Sequence, residues 1–266
     1  MINLTLYKRE MKNSLKLLVI FAAVLTLYIS IIIVMYDPEM MEILDSFAKA
    51  MPEIMAAVGM NTGATSLIGF IISYLYGFIL LIFPMVFSIL RGNGLIAKYV
   101  DRGSMVTLAA APVKRRTIAF TQMSALISGV LLLLIYATGV EIVVAQSHFP
   151  GELEIQELAV VNAGLLCLHL FISGICFLAS CIFSDTKYSL AFGAGTPALM
   201  YVLQMLANAG KDSELVKYFT FFTLFDPSAI ADGEQNALLG AAVLLIGAVF
   251  LFAAGITVFD RKDLHI

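Results

Sequence analysis

Long apolar segments alternate with short polar ones along the whole chain. Six of these segments are continuously apolar, and each is long enough to cross a membrane, which takes about 20 helical residues for a hydrocarbon core of ~30 Å. Because they lack the strand-like alternation of a membrane barrel, they predict helices. The predicted spans are residues 15–36, 67–90, 117–144, 159–183, 190–209 and 237–259. We therefore expect an all-α polytopic membrane protein in which residues 1–266 form one transmembrane domain.

Composition agrees with membrane insertion. Hydrophobic residues make up 61% of the 266 residues and charged residues 13%, roughly half the charged share of a typical soluble protein. The first apolar segment is longer than a signal-peptide core and five more follow it, so we expect it to stay in the chain. All three cysteines lie in the fourth segment without the spacing of a zinc site, which predicts buried thiols.

The basic residues are strongly biased to one side of the predicted membrane. Cytoplasmic flanks of membrane helices collect lysine and arginine, and six spans return the chain to the side on which it began. We therefore predict that both termini are cytoplasmic. Thirteen of the 16 basic residues fall on that side, namely Lys8, Arg9, Lys12, Lys16, Arg91, Lys98, Arg102, Lys114, Arg115, Arg116, Lys187, Arg261 and Lys262.

Residues 2–14 have the pattern of an interfacial amphipathic helix. Leu4, Tyr7, Met11 and Leu15 recur at helical spacing, and lysines and Arg9 occupy much of the remaining surface. Such a helix lies on the membrane with its apolar face in the headgroup region. We expect an elbow helix leading into the first span, with a disordered basic flank as the alternative.

Two outer segments also carry apolar side chains. Residues 39–55 predict a helix with an apolar stripe opposite acidic residues, either a structural cap or a methionine-rich surface for amphipathic cargo. Residues 210–236 contain the aromatic run "YFTFFTLF", which predicts a helix dipping back into the membrane or an interfacial aromatic belt.

The segment 98–116 between the second and third spans holds too many charges for the hydrocarbon region. Gly103 is expected to end the extension of the second span, Ser104 to cap a short helix over 105–111, and Pro112 to end that helix. Helical phasing places Met105 and Leu108 on the same side as charged residues. A mixed face of this kind predicts a surface that docks on another protein.

The phrase "DRGSMVTLAAAPVKRRTIAFTQ" resembles the segment after the second span in type-2 ABC transporter permeases. The order of further phrases is also similar to that family: "LYKREMKNSLK" to its N-terminal elbow, "AMPEIMAAVGM" and "FDPSAIADG" to its outer loops, and "FDRKDLHI" to its basic terminus. One departure is the alanine run before Pro112, where bulkier leucines are expected.

The resemblance implies the membrane subunit of an ABC exporter in a bacterial cell membrane, working as a homodimer or heterodimer of permeases. It implies a cytoplasmic coupling helix that contacts a separate ATP-binding subunit, which would hold ATP and Mg²⁺. The implied contact residues are Asp101, Arg102, Gly103, Met105, Leu108 and Pro112, with Asp185 in a second, smaller contact; Tyr7, Lys8 and Arg9 correspond to the elbow. Peptides, antibiotics, sodium and lipids are cargo of the family, and an amphipathic or hydrophobic cargo such as a toxin-like peptide is favoured here.

The sequence offers no phosphate-binding loop of its own. Its one Gly-Lys pair, Gly210-Lys211, is followed by Asp212, and Met205 stands where such a loop needs its first glycine. The serines also lack the setting of a hydrolase nucleophile. We therefore expect no catalytic, cofactor or metal site in this chain, and no nucleic-acid partner.

Some ionisable and helix-breaking residues fall inside the predicted spans. Ionisable groups within a membrane are rare and suggest function, so the candidate transport path comprises Glu141, His169, Gly193, Gly195 and Pro197. The alternatives are that Glu141 reaches the outer surface, that His169 is neutral and hydrogen-bonded, and that the small residues serve packing. A secondary transporter or channel without an ATPase remains the alternative function.

Overall fold

Six long helices dominate the structure. The computed structural model describes residues 2–36, 50–59, 66–110, 113–209 and 211–262, and the regular structure in these ranges is all helical. Six of the helices are long and apolar enough to cross a membrane, which confirms the predicted all-α, six-span architecture. We number them spans 1 to 6: Leu4–Val34, Leu67–Asp101, Arg115–His148, Ile155–Ile182, Thr186–Ala209 and Gln235–Arg261.

Span 4 is the centre of the bundle. It packs against spans 2, 3, 5 and 6, while span 1 lies mainly along span 3. Within the 18-residue apolar stretch of each span, 67% is buried in span 2 and 61% in span 4, compared with 22% in spans 1 and 5. Spans 1 and 5 therefore turn most of their apolar surface outward, which suits contact with lipid or with a second membrane subunit.

Span 1 is one unbroken helix that begins at Leu4. The side chain of Asn3 caps it, because its Oδ1 accepts a hydrogen bond from the Leu6 amide at 3.0 Å. A buried stripe begins at Leu6, Glu10 and Ser14 and continues at four-residue spacing further along the helix. Residues 4–14 are thus helical as predicted, but they form the first turns of span 1, and a separate elbow helix is not confirmed.

Span 2 is the least regular of the long helices. An α-helix over Leu67–Ile71 passes into a π-helix over Ile72–Ile79 and returns to α-helix over Leu80–Leu95. A turn at Ile96 separates the last segment, Ala97–Asp101. Long π-helical stretches are rare and often coincide with functional sites.

The connection from span 2 to span 3 contains the predicted short helix, here Met105–Ala110. Gly103 ends the preceding helix in the left-handed conformation, with φ +69°, as a glycine after a helix commonly does. The Ser104 hydroxyl donates to the carbonyl of Tyr99 at 3.3 Å. Pro112 lies outside the described residues.

The outer segments can be compared with the sequence prediction in part. Of the helix predicted over 39–55, residues 39–49 lie outside the described ranges, and Pro52–Ala57 is helical. The aromatic run is divided between two short 3₁₀-helices, Lys211–Phe219 and Phe221–Leu224, and does not form one continuous helix. Its dip into the membrane and the alternative of an interfacial aromatic belt stay predictions. The two helices differ in burial, since Phe222 is buried whereas 71% of Phe219 is exposed.

Both ends of the described chain lie at the same end of the bundle. The Asn3 amide donates to Thr121 Oγ1 near the start of span 3 at 3.0 Å. At the other terminus, Lys262 Nζ donates to the carbonyls of Cys181 and Ile182, at 3.1 and 2.9 Å. Lys262 thereby caps the C-terminus of span 4, where a cation is favoured, and burial lowers the pKa of its ammonium group. This end, which carries the basic flanks, is called the inner end below.

Candidate functional site

Two inner loops that lie far apart in the sequence meet at the inner end. Thr186, at the start of span 5, donates its hydroxyl to Asp101 Oδ2 at 2.7 Å. The Ser180 hydroxyl accepts the amides of Ile96 and Ala97 at 3.2 and 2.9 Å, which holds span 4 against the break in span 2. The two predicted partner contacts, around Asp101 and around Asp185, are therefore adjacent parts of one surface.

Met105 does not lie on this surface, contrary to the predicted arrangement. It is 2% exposed and belongs to an apolar cluster at the inner end with Leu95, Ile118 and Phe259. The reason is that the turns at Ile96 and Gly103 change the direction of the helix, whereas the predicted phasing of Met105 and Leu108 was carried through the expected break at Gly103 and did not include a turn at Ile96. The apolar side chain that does face outward is Val106, which is 43% exposed.

The remaining predicted contact residues divide between the surface and the apolar cluster. Asp101, Arg102 and Gly103 are exposed. Asp185 is partly buried, and its Oδ1 accepts the Lys187 amide at 2.7 Å. Leu108 is partly buried against the same cluster as Met105. We define the inner surface as Asp101, Arg102, Gly103, Val106, Asp185, Thr186 and Lys187.

A buried ion pair beside the inner surface was missed by the sequence analysis. Glu10 of span 1 is 2% exposed, and its Oε2 lies 3.1 Å from Arg91 Nη2 of span 2. The Tyr99 hydroxyl donates to the other carboxylate oxygen at 2.5 Å. One feature of the sequence does indicate the burial of Glu10: it lies four residues from both Leu6 and Ser14, on the side of span 1 that is buried.

The elbow residues contribute differently to this region. The Tyr7 hydroxyl donates to Ser128 Oγ of span 3 at 2.8 Å, so Tyr7 fixes the first turns of span 1 to the bundle. Lys8 and Arg9 are exposed.

His169 compensates for a proline in the neighbouring helix. Pro84 has no amide hydrogen, so the carbonyl of Leu80, four residues earlier, loses its helical donor. His169 Nε2 lies 2.8 Å from this carbonyl oxygen, and the histidine is fully buried. Since a carbonyl can only accept, the contact assigns the proton to Nε2. The alternative of a neutral, hydrogen-bonded histidine thus has a structural reason.

The same arrangement recurs further along span 4. Pro197 deprives the carbonyl of Gly193 of its donor, and the thiol of Cys176 lies 3.1 Å from that oxygen. A Cβ on Gly193 would lie 3.1 Å from Asn93 Oδ1 of span 2 and 3.4 Å from the Cys176 Cα, so an added side chain would be crowded mainly by Asn93. Gly195 is exposed elsewhere on span 5, and a Cβ added to it would meet open space. These contacts support the packing explanation for Gly193 and Pro197.

Replacing His169 by leucine should lower the free energy of unfolding by about 1–3 kcal/mol, because the Leu80 carbonyl is left buried without a donor. In a Pro84→Ala background the same replacement should cost less, since an alanine at this position returns an amide hydrogen to that carbonyl. Thermal unfolding of the four proteins in detergent measures the difference as a double-mutant cycle. An equal cost in both backgrounds would show that His169 acts through other contacts.

Glu141 is enclosed between three spans and does not reach the outer surface. Its side chain is 0% exposed. Oε2 accepts a hydrogen bond from the Tyr76 hydroxyl at 3.1 Å and one from Asn162 Nδ2 at 3.2 Å. Tyr76 lies in the π-helix of span 2, and Asn162 lies near the outer end of span 4. The alternative in which Glu141 extends to the aqueous phase is therefore wrong for this structure.

Comparison with known proteins adds no assignment: no protein-family model, no curated protein and no solved structure matches the chain.

Proposed function

We propose that this protein is the membrane permease subunit of an ATP-driven exporter of the ABC type. A separate ATPase subunit binds ATP and Mg²⁺ and docks on the inner surface. Two permeases, identical or different, form the transport path in a bacterial cell membrane. The cargo is amphipathic or hydrophobic, such as a peptide, an antibiotic or a toxin-like molecule.

The meeting of two inner loops carries this proposal. The Asp101–Thr186 hydrogen bond joins the end of span 2 to the start of span 5, and so brings together the loops that follow span 2 and span 4. Around it, the exposed side chains of Arg102 and Lys187 supply charge, and Val106 supplies an apolar contact. An apolar centre with a polar rim is the usual composition of a protein–protein interface. A partner bound here touches both loops and so can move spans 2 to 5 together.

The sequence and the apolar spans support a division of labour between subunits. The given sequence has no glycine-rich phosphate loop, in keeping with the assignment of ATP to a separate subunit in this proposal. Spans 1 and 5 leave most of their apolar surface uncovered, which suits a second permease or lipid. The proposal places the basic inner end in the cytoplasm, in agreement with the usual distribution of lysine and arginine.

Cysteine labelling tests this orientation. In a background without the native cysteines, Glu154→Cys at the outer end should react with an impermeant thiol reagent added to intact cells. Arg102→Cys, exposed at the inner end, should react only after the membrane is permeabilised. Labelling of Arg102→Cys in intact cells would contradict cytoplasmic termini.

The docking proposal predicts that Arg102→Glu combined with Val106→Asp releases the ATPase subunit while the permease stays in the membrane. Both side chains are exposed, so the fold should tolerate the change, whereas a desolvated charge at an interface centre costs about 2 kcal/mol or more. Pull-down from detergent extracts measures the loss. Lys114→Ala, an exposed position outside the inner surface, serves as the control. Undiminished co-purification and transport in the double variant would contradict the proposal.

A secondary transporter without an ATPase is the second candidate. Glu141 favours it, because a carboxyl group enclosed among spans is common in ion-coupled transporters. Transport by the purified chain in vesicles without ATP would support this candidate, whereas strict dependence on an ATPase subunit would exclude it.

A further inference from the structure

The polar cluster at the outer ends of spans 2, 3 and 4 has more acceptors than donors. It comprises Glu141, Tyr76 and Asn162, and each of these residues is at least nine-tenths buried. Glu141 Oε1 and Asn162 Oδ1 are buried without any hydrogen-bond partner. Two unpartnered buried acceptors in one cluster are unusual, because such groups are normally satisfied.

The available hydrogens can be counted. Asn162 Nδ2 carries two and lies within reach of three acceptors: the Tyr76 oxygen at 2.6 Å, the Leu158 carbonyl at 3.1 Å and Glu141 Oε2 at 3.2 Å. The two shorter contacts take both hydrogens, so the contact with Glu141 Oε2, the longest of the three, can only share one of them. The Tyr76 hydroxyl supplies the one unshared hydrogen bond to the carboxyl group of Glu141, through Oε2. One unshared and one shared neutral donor are too few for a buried carboxylate.

The surrounding spans offer no compensating cation among the described residues. In their outer halves, spans 1 and 6 carry no charged side chain. In the outer halves of the other packed spans, the titratable residues besides Glu141 are Tyr74 and Tyr76 on span 2, Tyr136 and the exposed His148 on span 3, and Glu157 and Cys167 on span 4, with His169 at the middle of that span. His169 lies two helical turns from Asn162, roughly 10 Å, with its Nε2 proton directed at the Leu80 carbonyl. An ionised Glu141 would therefore be a buried charge without an opposite charge.

We propose that Glu141 is a proton-binding site and that its carboxyl group holds a proton in this conformation. The carboxylate takes one H⁺ from water and becomes a neutral carboxylic acid, with one new O–H bond and no other bond changed. The acid removes the uncompensated charge and adds the donor that the cluster lacks. This inference concerns the chain itself and holds whether or not an ATPase docks at the inner end.

Release of the proton requires the outer ends of the spans to move, since Glu141 is fully enclosed. The π-helix links the site to the outer short helix, Pro52–Ala57. Gly77, the residue after Tyr76, packs so closely on Val58 and Gly59 that a Cβ on Gly77 would lie 2.6 Å from the Val58 carbonyl oxygen. The residues that follow the outer short helix are therefore in direct contact with the segment that carries Tyr76.

Infrared spectroscopy of the purified protein in lipid vesicles at neutral pH tests the proposal. A protonated carboxylic acid gives a carbonyl band separate from that of carboxylates. We expect one such band in the wild type, its loss in Glu141→Gln, and its retention in Glu154→Gln, a control at an exposed outer position. Tyr76→Phe should keep the band but shift its frequency, because it removes the donor to Oε2.

The result that would overturn the proposal is a wild-type spectrum whose carboxylic-acid region is unchanged by Glu141→Gln. If that variant fails to fold, the wild type and Tyr76→Phe suffice: absence of a carboxylic-acid band at neutral pH in the wild type, or an identical band in both, contradicts a protonated Glu141. Loss of the band on adding sodium at constant pH would assign the site to a metal cation and would also overturn the proposal.

Discussion

Replacing Met105 by aspartate should unfold the inner end of the protein, whereas the same replacement at Val106 should leave the fold intact. Met105 is 2% exposed and Val106 is 43% exposed. A buried, unpaired carboxylate costs several kcal/mol, a large share of the ~5–15 kcal/mol that stabilises a typical folded domain. The yield of monodisperse protein in detergent and its unfolding temperature measure the contrast.

Met105→Leu is the matched control, because a swap of similar volume in a core usually costs less than about 1.5 kcal/mol. It should keep both the yield and the unfolding temperature near those of the wild type. The burial of Met105 would be contradicted if Met105→Asp were as stable as Val106→Asp and instead released a partner subunit.

The spans could be predicted from the sequence because their signal is local. A continuous apolar segment requires a helix wherever it crosses the membrane, whatever its neighbours are. The six predicted spans correspond to the six long helices, most of which extend further than predicted: span 3, for example, continues to His148. The helix break at Gly103 was predictable for the same reason, since glycine adopts the left-handed conformation at little cost.

The direction of the short inner helix could not be predicted. The position of a break can be recognised from its glycine, but the rotation of the helix beyond it depends on the dihedral angles of the turn. At Ile96, φ is −125° and ψ −57°, which is not a helical conformation. Nothing in the local sequence requires the backbone to leave the helix at this residue. The amides of Ile96 and Ala97 donate to the hydroxyl of Ser180, which is 84 and 83 residues away from them in the sequence.

The buried polar contacts were equally hidden because each joins distant parts of the chain. Glu141 and His169 were recognisable as ionisable residues within apolar segments. Their partners, Tyr76 and the Leu80 carbonyl, are 65 and 89 residues away in the sequence. Pro84 indicates that one carbonyl needs a new donor, but the helix that supplies it depends on how the spans pack.

The Glu10–Arg91 pair gives the second large expected effect. Arg91→Met should lower the free energy of unfolding by about 3–5 kcal/mol, since it leaves the buried Glu10 carboxylate without its cation. Glu10→Gln combined with Arg91→Met should recover much of this loss, because neither position then carries a charge. Thermal unfolding of the two single variants, the double variant and the wild type in detergent gives the coupling energy.

Arg116 and Asp260 provide the matched control pair at the same end of the bundle. Arg116 Nε lies 2.6 Å from Asp260 Oδ2, but the two side chains are 68% and 25% exposed. The side chains of Arg91 and Glu10 are only 14% and 2% exposed. Exposed ion pairs contribute roughly 0–1 kcal/mol, so Asp260→Asn should change stability little.

Because Arg91 and Tyr99 both lie on span 2 and both contact Glu10, the Glu10–Arg91 pair connects the start of span 1 to the segment leading into the inner surface. If Arg91→Met and Asp260→Asn lowered the free energy of unfolding equally, the Glu10 carboxylate would be hydrated. The Glu10–Arg91 pair would then not hold span 1 to span 2.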